Sequence, residues 1–186
     1  MNDIEIMAPV GCWESLAAAI EAGATSVYFG IEHLNMRSRS SANFTTQDLH
    51  TLVDRCQAVG VKTYLTHNTV MYPENLPLMR EIVDHAKAAN VSAIIASDIA
   101  ALQYAYQSGV EVHLSTQLNI ANTEALKFYA QYADVVVLAR ELNMEQVASI
   151  YRDILEQDIR GPKGELIRIE MFCHGALCMA VSGKCY

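Results

Sequence analysis

The residues most able to do chemistry lie together in the C-terminal segment Arg168–Tyr186. They combine two groups that can carry a proton with three thiols: Glu170, His174, Cys173, Cys178 and Cys185. Thiolates are soft ligands that suit zinc, copper(I) or iron–sulfur clusters. The spacing Cys178-x6-Cys185 differs from the two-residue spacing of a zinc ribbon, so a metal site needs ligands from other segments. Two alternatives stay open: buried core cysteines, or a catalytic thiol whose base partner the sequence does not identify.

The composition indicates an ordered globular protein. Apolar residues make up 52% and charged residues 18% of the 186 residues, enough for one domain with a sizeable core. The net charge of −8 disfavours unaided nucleic-acid binding, so an RNA substrate would need a local basic patch or further sequence. No apolar run approaches the ~20 residues that span a bilayer. The acidic N-terminus Met1–Glu5 and the scattered cysteines predict a cytoplasmic protein without a signal peptide or membrane contact.

Strand-like and helical segments alternate along the chain. Seven short apolar runs predict strands, near Ile4–Ala8, Val27–Gly30, Lys62–Thr66, Ala93–Ala96, Val112–Ser115, Val135–Leu138 and Arg168–Phe172. Six amphipathic or capped segments predict helices, at Cys12–Ala22, Thr46–Val59, Glu74–Ala89, Ile99–Ser108, Thr123–Tyr132 and Met144–Gln157. Such alternation indicates a parallel sheet with helical crossovers.

The predicted fold class is α/β, an incomplete TIM-like (β/α)8 barrel with seven parallel strands and six helices. A doubly wound nucleotide fold is the alternative, but no G-x-G-x-x-G follows the first strand. Polar residues recur at the carboxyl ends of the strands, where barrel sites form. We expect one domain over residues 1–186 that stops before a seventh helix and an eighth strand.

Residues near the strand ends, and one arginine in the long loop after the second strand, are candidate substrate ligands: Asn68, Gln117, Asn119, Arg140 and Arg37. On a barrel the strand ends share one rim, so four side chains are expected to converge on one cavity, those of Asn68, Gln117, Arg140 and Glu170. The arginines could hold a carboxylate by bidentate hydrogen bonds. The alternative for Arg140 is a salt bridge to Glu141 or Glu170, and the amides could equally cap loops.

Glu170 and His174 are the candidate catalytic residues. Glu170 alternates with Ile169 and Met171, so we expect it to face the barrel interior, where burial raises a carboxyl pKa. His174 could act as acid, base or ligand, and a structural histidine is the alternative. His67 and His113 lie in predicted strands, and their roles are undecided. Cys56 falls on the apolar face of a predicted helix and is interpreted as a core thiol.

One long ordered motif near the C-terminus resembles that of peptidase family U32, the collagenase-like peptidases. It reads Glu170-Met171-Phe172-x-x-Gly175-Ala176-Leu177-Cys178-x4-Gly183-x-Cys185. Further segments resemble the same family: Met7–Gly11, Ala24–Gly30, Leu114–Asn119 and Val137–Glu141. The resemblance covers essentially this whole chain but only the N-terminal part of a typical member. It implies a barrel-like fold and a 4Fe–4S cluster held by four cysteines, of which Cys178 and Cys185 match the first two.

Three functional hypotheses remain, and the resemblance implies the first two. The first is iron–sulfur-dependent hydroxylation of tRNA or rRNA bases, or of a quinone precursor, with prephenate, a small dicarboxylate, as hydroxyl donor for RNA. The second is the peptidase activity of the family name, although the sequence has no H-E-x-x-H, no G-x-S-x-G and no identifiable Cys–His–Asn set. The third is an inactive N-terminal fragment or binding scaffold. The oligomeric state is left open.

The cofactor expectation separates this chain from a full-length relative. A cluster wants four protein ligands. Cys178 and Cys185 supply two, so we expect the cluster in the full-length protein and none in this chain. Because metal binding is coupled to folding, the segment Cys178–Tyr186 is expected to be loosely placed.

Overall fold

The structure, a computed structural model, describes residues 4–31, 44–175 and 180–183. Its chain divides into two compact units, Met1–Val110 and Glu111–Tyr186. In the described part of the chain, no helix is both long and apolar enough to cross a membrane.

The first unit holds four parallel strands, each followed by a helix. The strands are β1 Met7–Pro9, β2 Ser26–Gly30, β3 Lys62–His67 and β4 Ala93–Ala96, and they are paired in chain order. The helices are α1 Trp13–Glu21, α2 Asp48–Ala58, α3 Leu76–Ala88 and α4 Ile99–Gln107, with a 3-10 turn at Pro73–Asn75 before α3.

The second unit continues the same alternation. Its strands are β5 Val112–Leu114, β6 Val135–Val137 and β7 Arg168–Glu170, again parallel and paired in chain order. Its helices are α5 Thr123–Ala130 and α6 Met144–Glu156, and a 3-10 turn at Thr116–Leu118 follows β5. The register pairs His113 with Val135 and Val137 with Glu170.

The predicted fold class, an incomplete TIM-like (β/α)8 barrel, is confirmed: the described residues form seven parallel strands in chain order and six α-helices. Two predicted strands, the first and the last, run two or more residues past the observed bounds. The first strand begins at Met7 because Ile4 and Ile6 are 87% and 61% exposed and precede the ladder with β2. The last strand ends at Glu170, where its pairing with β6 stops, and the predicted continuation through Phe172 is wrong.

The helices form because apolar positions recur on one face and local caps stop the ends from fraying. In α2 the buried residues are Leu49, Leu52, Val53 and Cys56. Burial raises the pKa of the Cys56 thiol to about 11, which confirms it as an unreactive core group. At the start of α6, the Asn143 side chain accepts from the Gln146 backbone N–H while the Gln146 side chain accepts from the Asn143 N–H.

Candidate functional site

Ser182 lies at the carboxyl ends of β5 and β6 and is 1% exposed. Its hydroxyl oxygen accepts from the backbone N–H of Arg140 at 3.4 Å and from the Arg140 side-chain Nε at 3.3 Å. Its own N–H donates to Oε1 of Glu141 at 2.8 Å. The hydroxyl of Thr116, just after β5, lies 3.4 Å from the Ser182 hydroxyl. The segment 180–183 is therefore fixed to the residues that directly follow two strands.

Gly183 continues this contact in a way that only glycine allows. Its φ is 77°, in the left-handed region, and a Cβ there would lie 2.6 Å from the carbonyl oxygen of Gln117. The same Cβ would meet the Cβ of Asn119 at 3.2 Å. Asn119 itself is left-handed, with φ 51° and ψ 44°, and ends the 3-10 turn. Gln117 and Asn119, both predicted as ligands, therefore pack closely against the backbone of Gly183.

These contacts change two expectations drawn from the sequence. The segment from Cys178 onward was expected to be loosely placed, and for residues 180–183 this is wrong because Ser182 is buried and hydrogen-bonded. Among the described residues, Arg140 makes no ion pair within 4.0 Å with Glu141 or Glu170, the alternative considered for it, although its charge contributes to lowering the pKa of Glu141. Arg140 is exposed apart from its Nε bond to Ser182. The Ser182 N–H in turn lowers the pKa of Glu141, because it stabilises the carboxylate.

A second group of polar side chains occupies one face of β5 and β7. His113 in β5 is nearly buried, with its side chain 3% exposed. Its Nε2 lies 3.2 Å from Oε1 of Glu111, and its Nδ1 lies 3.9 Å from Oε2 of Glu170. Glu111 directly precedes β5 and lies two residues before His113, which places the two side chains on the same side of the chain. The predicted catalytic residue Glu170 therefore has a buried imidazole beside it.

The charge on Glu111 fixes the orientation of that imidazole. Burial acts to raise the pKa of Glu111, but hydrogen bonds from His113 and Lys163 outweigh it and lower the pKa from 4.5 to about 2. Arg168 also donates to Oε1 of Glu111, at 2.6 Å. An ionised carboxylate can only accept, so Nε2 of His113 carries the donated proton. The other ring nitrogen of His113 is then the one turned toward Glu170.

The first unit contributes a separate group at the end of β3. His67 is 1% exposed, and its Nε2 has no hydrogen-bond partner among the described residues. Burial lowers its pKa to about 4, although the charge of Asp98 opposes the shift. The carbonyl oxygen of Asn68 accepts from the hydroxyl of Ser97 at 2.9 Å. The expectation that Asn68 shares a cavity with the candidates of the second unit stays a prediction.

The remaining sequence candidates divide into exposed residues and residues outside the described part. His174 and Cys173 are exposed in the segment after β7. Arg37, Cys178 and Cys185 lie outside the described residues. Within residues 4–31, 44–175 and 180–183, no group of three or more His, Cys, Asp or Glu side chains is placed to hold a metal ion.

Sequence reasoning missed the roles of Ser182, Glu141 and Glu111. The two-residue spacing of Glu111 and His113, and of Arg168 and Glu170, was a readable sign that these charged groups lie on one side of their segments. Ser182 carried no such sign, because its partners Arg140 and Glu141 are about forty residues earlier in the chain.

Comparison with known proteins identifies relatives for nearly the whole chain. Residues 11–186 match peptidase family U32. A protein named collagenase from Porphyromonas gingivalis is 66% identical over 186 residues, which is 100% of this chain and 45% of that protein. The tRNA hydroxylation protein P of Helicobacter pylori is 31% identical over 188 aligned positions, covering 100% of this chain and 42% of that protein. The chain thus spans less than half the length of these relatives.

The solved structures with similar architecture support the fold. A U32 peptidase superposes with a TM-score of 0.68 at 16% identity, over 81% of this chain and 65% of the other. An oxaloacetate acetylhydrolase superposes with a TM-score of 0.58 at 15% identity, over 90% of this chain and 75% of the other. At these identities the likeness concerns the fold alone.

Proposed function

Since this chain belongs to peptidase family U32, we propose that it takes part in iron–sulfur-dependent hydroxylation of RNA bases. The observation that carries the proposal is the position of Ser182, which lies between Cys178 and Cys185 in the sequence. It is fixed at the carboxyl ends of β5 and β6, where parallel barrels build their sites. Relatives named for tRNA hydroxylation share about 30% identity with this chain, which supports the RNA substrate class.

The donor chemistry fits an iron–sulfur cluster in kind. Cys178 and Cys185 would be two of the ligands, as soft thiolates seven residues apart in the sequence. The cluster needs about four ligands, so the other two would come from sequence outside this chain. When bound, the cluster would supply one-electron redox chemistry.

The polar residues around this loop would bind and orient the substrates. Arg140 is an exposed arginine beside this segment, and a guanidinium suits a small carboxylate donor such as prephenate. Gln117 and Asn119 flank the same segment and could donate to a base or a hydroxyl. Glu170, backed by His113, could hold or release a proton.

The net charge of −8 bears on how an RNA would bind. A uniformly acidic surface repels phosphates, so binding would depend on a local cluster of arginine and lysine or on sequence outside this chain. The sequence segment that contains Arg37 and Arg39, which lies outside the described residues, is one candidate for such a cluster. A quinone precursor, the other hydroxylation substrate considered from sequence, carries no RNA phosphates, so the acidic surface would not repel it in this way.

A peptidase is the second candidate, favoured by two relatives named collagenase at 66% and 54% identity. The described geometry gives little support for a peptidase mechanism, because it pairs no nucleophile with a general base. A serine nucleophile needs an adjacent general base, whereas the Ser182 hydroxyl is bonded to Arg140 and Thr116. His174 is exposed, and Cys173 is an exposed free thiol.

Iron and sulfide analysis of the full-length protein, purified without oxygen, tests the proposal. We expect about four irons per chain, a loss of iron in Cys178→Ala and Cys185→Ala, and RNA that gains one oxygen by mass spectrometry. Cys173→Ala is the matched control, because the motif assigns that thiol no ligand role. A full-length protein that binds no iron, or a Cys173→Ala variant that loses as much iron as Cys178→Ala, contradicts the ligand assignment. Collagen hydrolysis that persists in Cys178→Ala would favour the peptidase.

A further inference from the structure

We propose that Glu170 and His113 form one proton-binding pair, in which the buried imidazole takes up the proton that Glu170 receives at the carboxyl end of β7. Glu111 orients the imidazole for this exchange. The pairing is a property of the second unit by itself, whereas its use on a substrate rests on the proposed function. In this arrangement Glu170 meets the substrate, and His113 acts through Glu170.

The register of the second unit places the two groups on one face of the sheet. His113 and Arg168 are both level with Val135 of β6, and Glu170 follows two residues later as the last residue of β7. Residues that are level with one another, or two apart, on neighbouring parallel strands project to the same face. The side chains of His113 and Glu170 therefore approach each other across β6. The β6 residues at this face, Val135 and Val137, are apolar and buried.

The distance within the pair suits proton exchange after a small side-chain movement. Nδ1 of His113 lies 3.9 Å from Oε2 of Glu170, which is longer than a hydrogen bond. A movement of about 1 Å brings the two atoms to the usual hydrogen-bond distance. The Glu170 side chain is 23% exposed and the imidazole only 3% exposed. Glu170 can therefore meet a substrate on one side and the imidazole on the other.

Glu111 determines which ring nitrogen takes part in the exchange. Its carboxylate accepts from Nε2 of His113 at 3.2 Å, so Nδ1 of the neutral ring presents a lone pair toward Glu170. A lone pair that faces an ionised carboxylate is unfavourable. One proton between them turns the contact into a hydrogen bond, whether the proton is on Nδ1 or on Oε2. The pair therefore binds one proton more tightly than either group would by itself.

The charged groups around His113 favour this proton. The carboxylates of Glu111 and Glu170 are 15% and 23% exposed, so solvent screens their attraction for it only in part. Two cations, Lys163 and Arg168, are bonded to Glu111 but are 56% and 50% exposed, so solvent screens their repulsion more strongly. Burial of the ring opposes an imidazolium, and a proton that stays on Glu170 avoids that cost.

The exchange moves a proton and no electrons. The proton leaves an O–H or C–H bond of the substrate, the electron pair of that bond stays with the substrate, and Glu170 takes the proton. Glu170 then passes it to Nδ1 of His113 and is again a carboxylate, while Glu111 stabilises the imidazolium. The reverse order delivers a proton to the substrate. General acid–base groups of this kind contribute about 10²–10⁴-fold to a rate.

A pH titration of the histidine rings by NMR tests the pair in the 186-residue chain, labelled with ¹⁵N-histidine. The signal missing in His113→Gln identifies His113. We expect the neutral ring to carry its proton on Nε2, and Glu170→Gln to move the His113 titration midpoint to lower pH by about 1 unit. Glu170→Asp keeps the charge and should retain most of the wild-type midpoint. Glu124→Gln is the matched control, because it removes an equal charge at an 82% exposed position and should leave the midpoint unchanged.

The pair is refuted if the neutral His113 ring carries its proton on Nδ1, or if Glu170→Gln moves the midpoint no more than Glu124→Gln does. The first of these readouts needs only the wild type, and circular dichroism melts confirm that each variant is folded. In the full-length protein, His113→Gln should lower kcat for the RNA at least about tenfold and shift its pH profile, with KM unchanged. The expected titration in a protein that hydroxylates no RNA would support the pair and refute the proposed function. RNA hydroxylation with an unchanged pH profile in His113→Gln would refute the relay and leave the proposed function standing.

Discussion

Glu111 offers the sharpest test of how charge stabilises the second unit. Its carboxylate is 15% exposed and accepts from His113, Lys163 and Arg168, the latter at 2.6 Å. The substitution Glu111→Gln keeps the shape but removes the negative charge. It leaves two cations beside a neutral amide, so the expected result is a lower free energy of unfolding at pH 7.

The size of the effect follows from the pKa of Glu111. A shift from 4.5 to about 2 corresponds to at most about 3 kcal/mol, at 1.36 kcal/mol per pH unit. Lys163 and Arg168 are 56% and 50% exposed, so solvent screens their part of the interaction. We therefore expect Glu111→Gln to lose about 1–2 kcal/mol at neutral pH, between the roughly 0.2–1 kcal/mol of an exposed pair and the roughly 3–5 kcal/mol lost when a buried pair is broken.

The pH dependence gives the sign of the effect. The folded-state pKa of Glu111 is lowered, so its stabilisation is fully present above the unfolded value of 4.5 and is lost as pH falls toward 2. Urea unfolding of wild type and Glu111→Gln, measured between pH 7 and pH 2.5, should show two curves that converge below pH 4.5. Glu124→Gln is the control, because Glu124 is 82% exposed beside Lys127 and should change stability by about 0.5 kcal/mol or less. A gap between the curves that stays constant down to pH 2.5 would refute the reasoning.

Three further predictions concern packing, capping and a buried histidine. Gly161→Ala should lower stability by about 1–3 kcal/mol in chemical denaturation, because its Cβ would lie 2.6 Å from Oδ1 of Asp134 and 2.8 Å from a backbone oxygen. Asn143→Ala should cost about 1 kcal/mol by removing the cap of α6, whereas Asn143→Asp should cost less in the same assay. For His67 the folded pKa of about 4 lies below the unfolded 6.5, so acid favours the unfolded state. Wild type should lose stability from pH 6.5 toward pH 4, and His67→Gln should not show that loss.

The local features of this fold were predictable because the interactions that make them are close in sequence. The Asn143–Gln146 capping box spans one helical turn, and the burial of Cys56 follows from its place in an i, i+3, i+4, i+7 pattern. The overrun of the last strand has an equally local cause. Met171 and Phe172 are residue types that favour strands. The strand nevertheless ends at Glu170, because its backbone pairing with β6 ends there, and the side chains of both residues are about half exposed.

The contacts of the candidate site depend on separations that the sequence does not encode locally. His113 meets Glu170 only because the register of β5, β6 and β7 brings strands far apart in the chain side by side. The Ser182 contact joins a loop to Arg140, 42 residues earlier. Residue type and strand-end position therefore pointed to Arg140 and Glu170, while their partners had to come from the structure.

The two ends of β5 have different consequences for the protein. At its amino end, the Glu111 carboxylate accepts hydrogen bonds from Arg168 in β7 and from Lys163 in the turn before β7. These contacts stabilise the fold and lie away from the carboxyl strand ends, where barrel sites form. At its carboxyl end, Thr116 contacts Ser182, which lies between the proposed metal ligands in the sequence. The hydrogen bonds recorded among the described residues give the two groups no common partner, so their substitutions should act independently. Loss of Glu111 should lower the unfolding free energy and leave hydrogen exchange at the Ser182 amide governed by its own contacts. Loss of Glu141 should increase exchange at Ser182 and leave the unfolding free energy nearly unchanged. These different effects distinguish a residue that stabilises the barrel from one that positions its site.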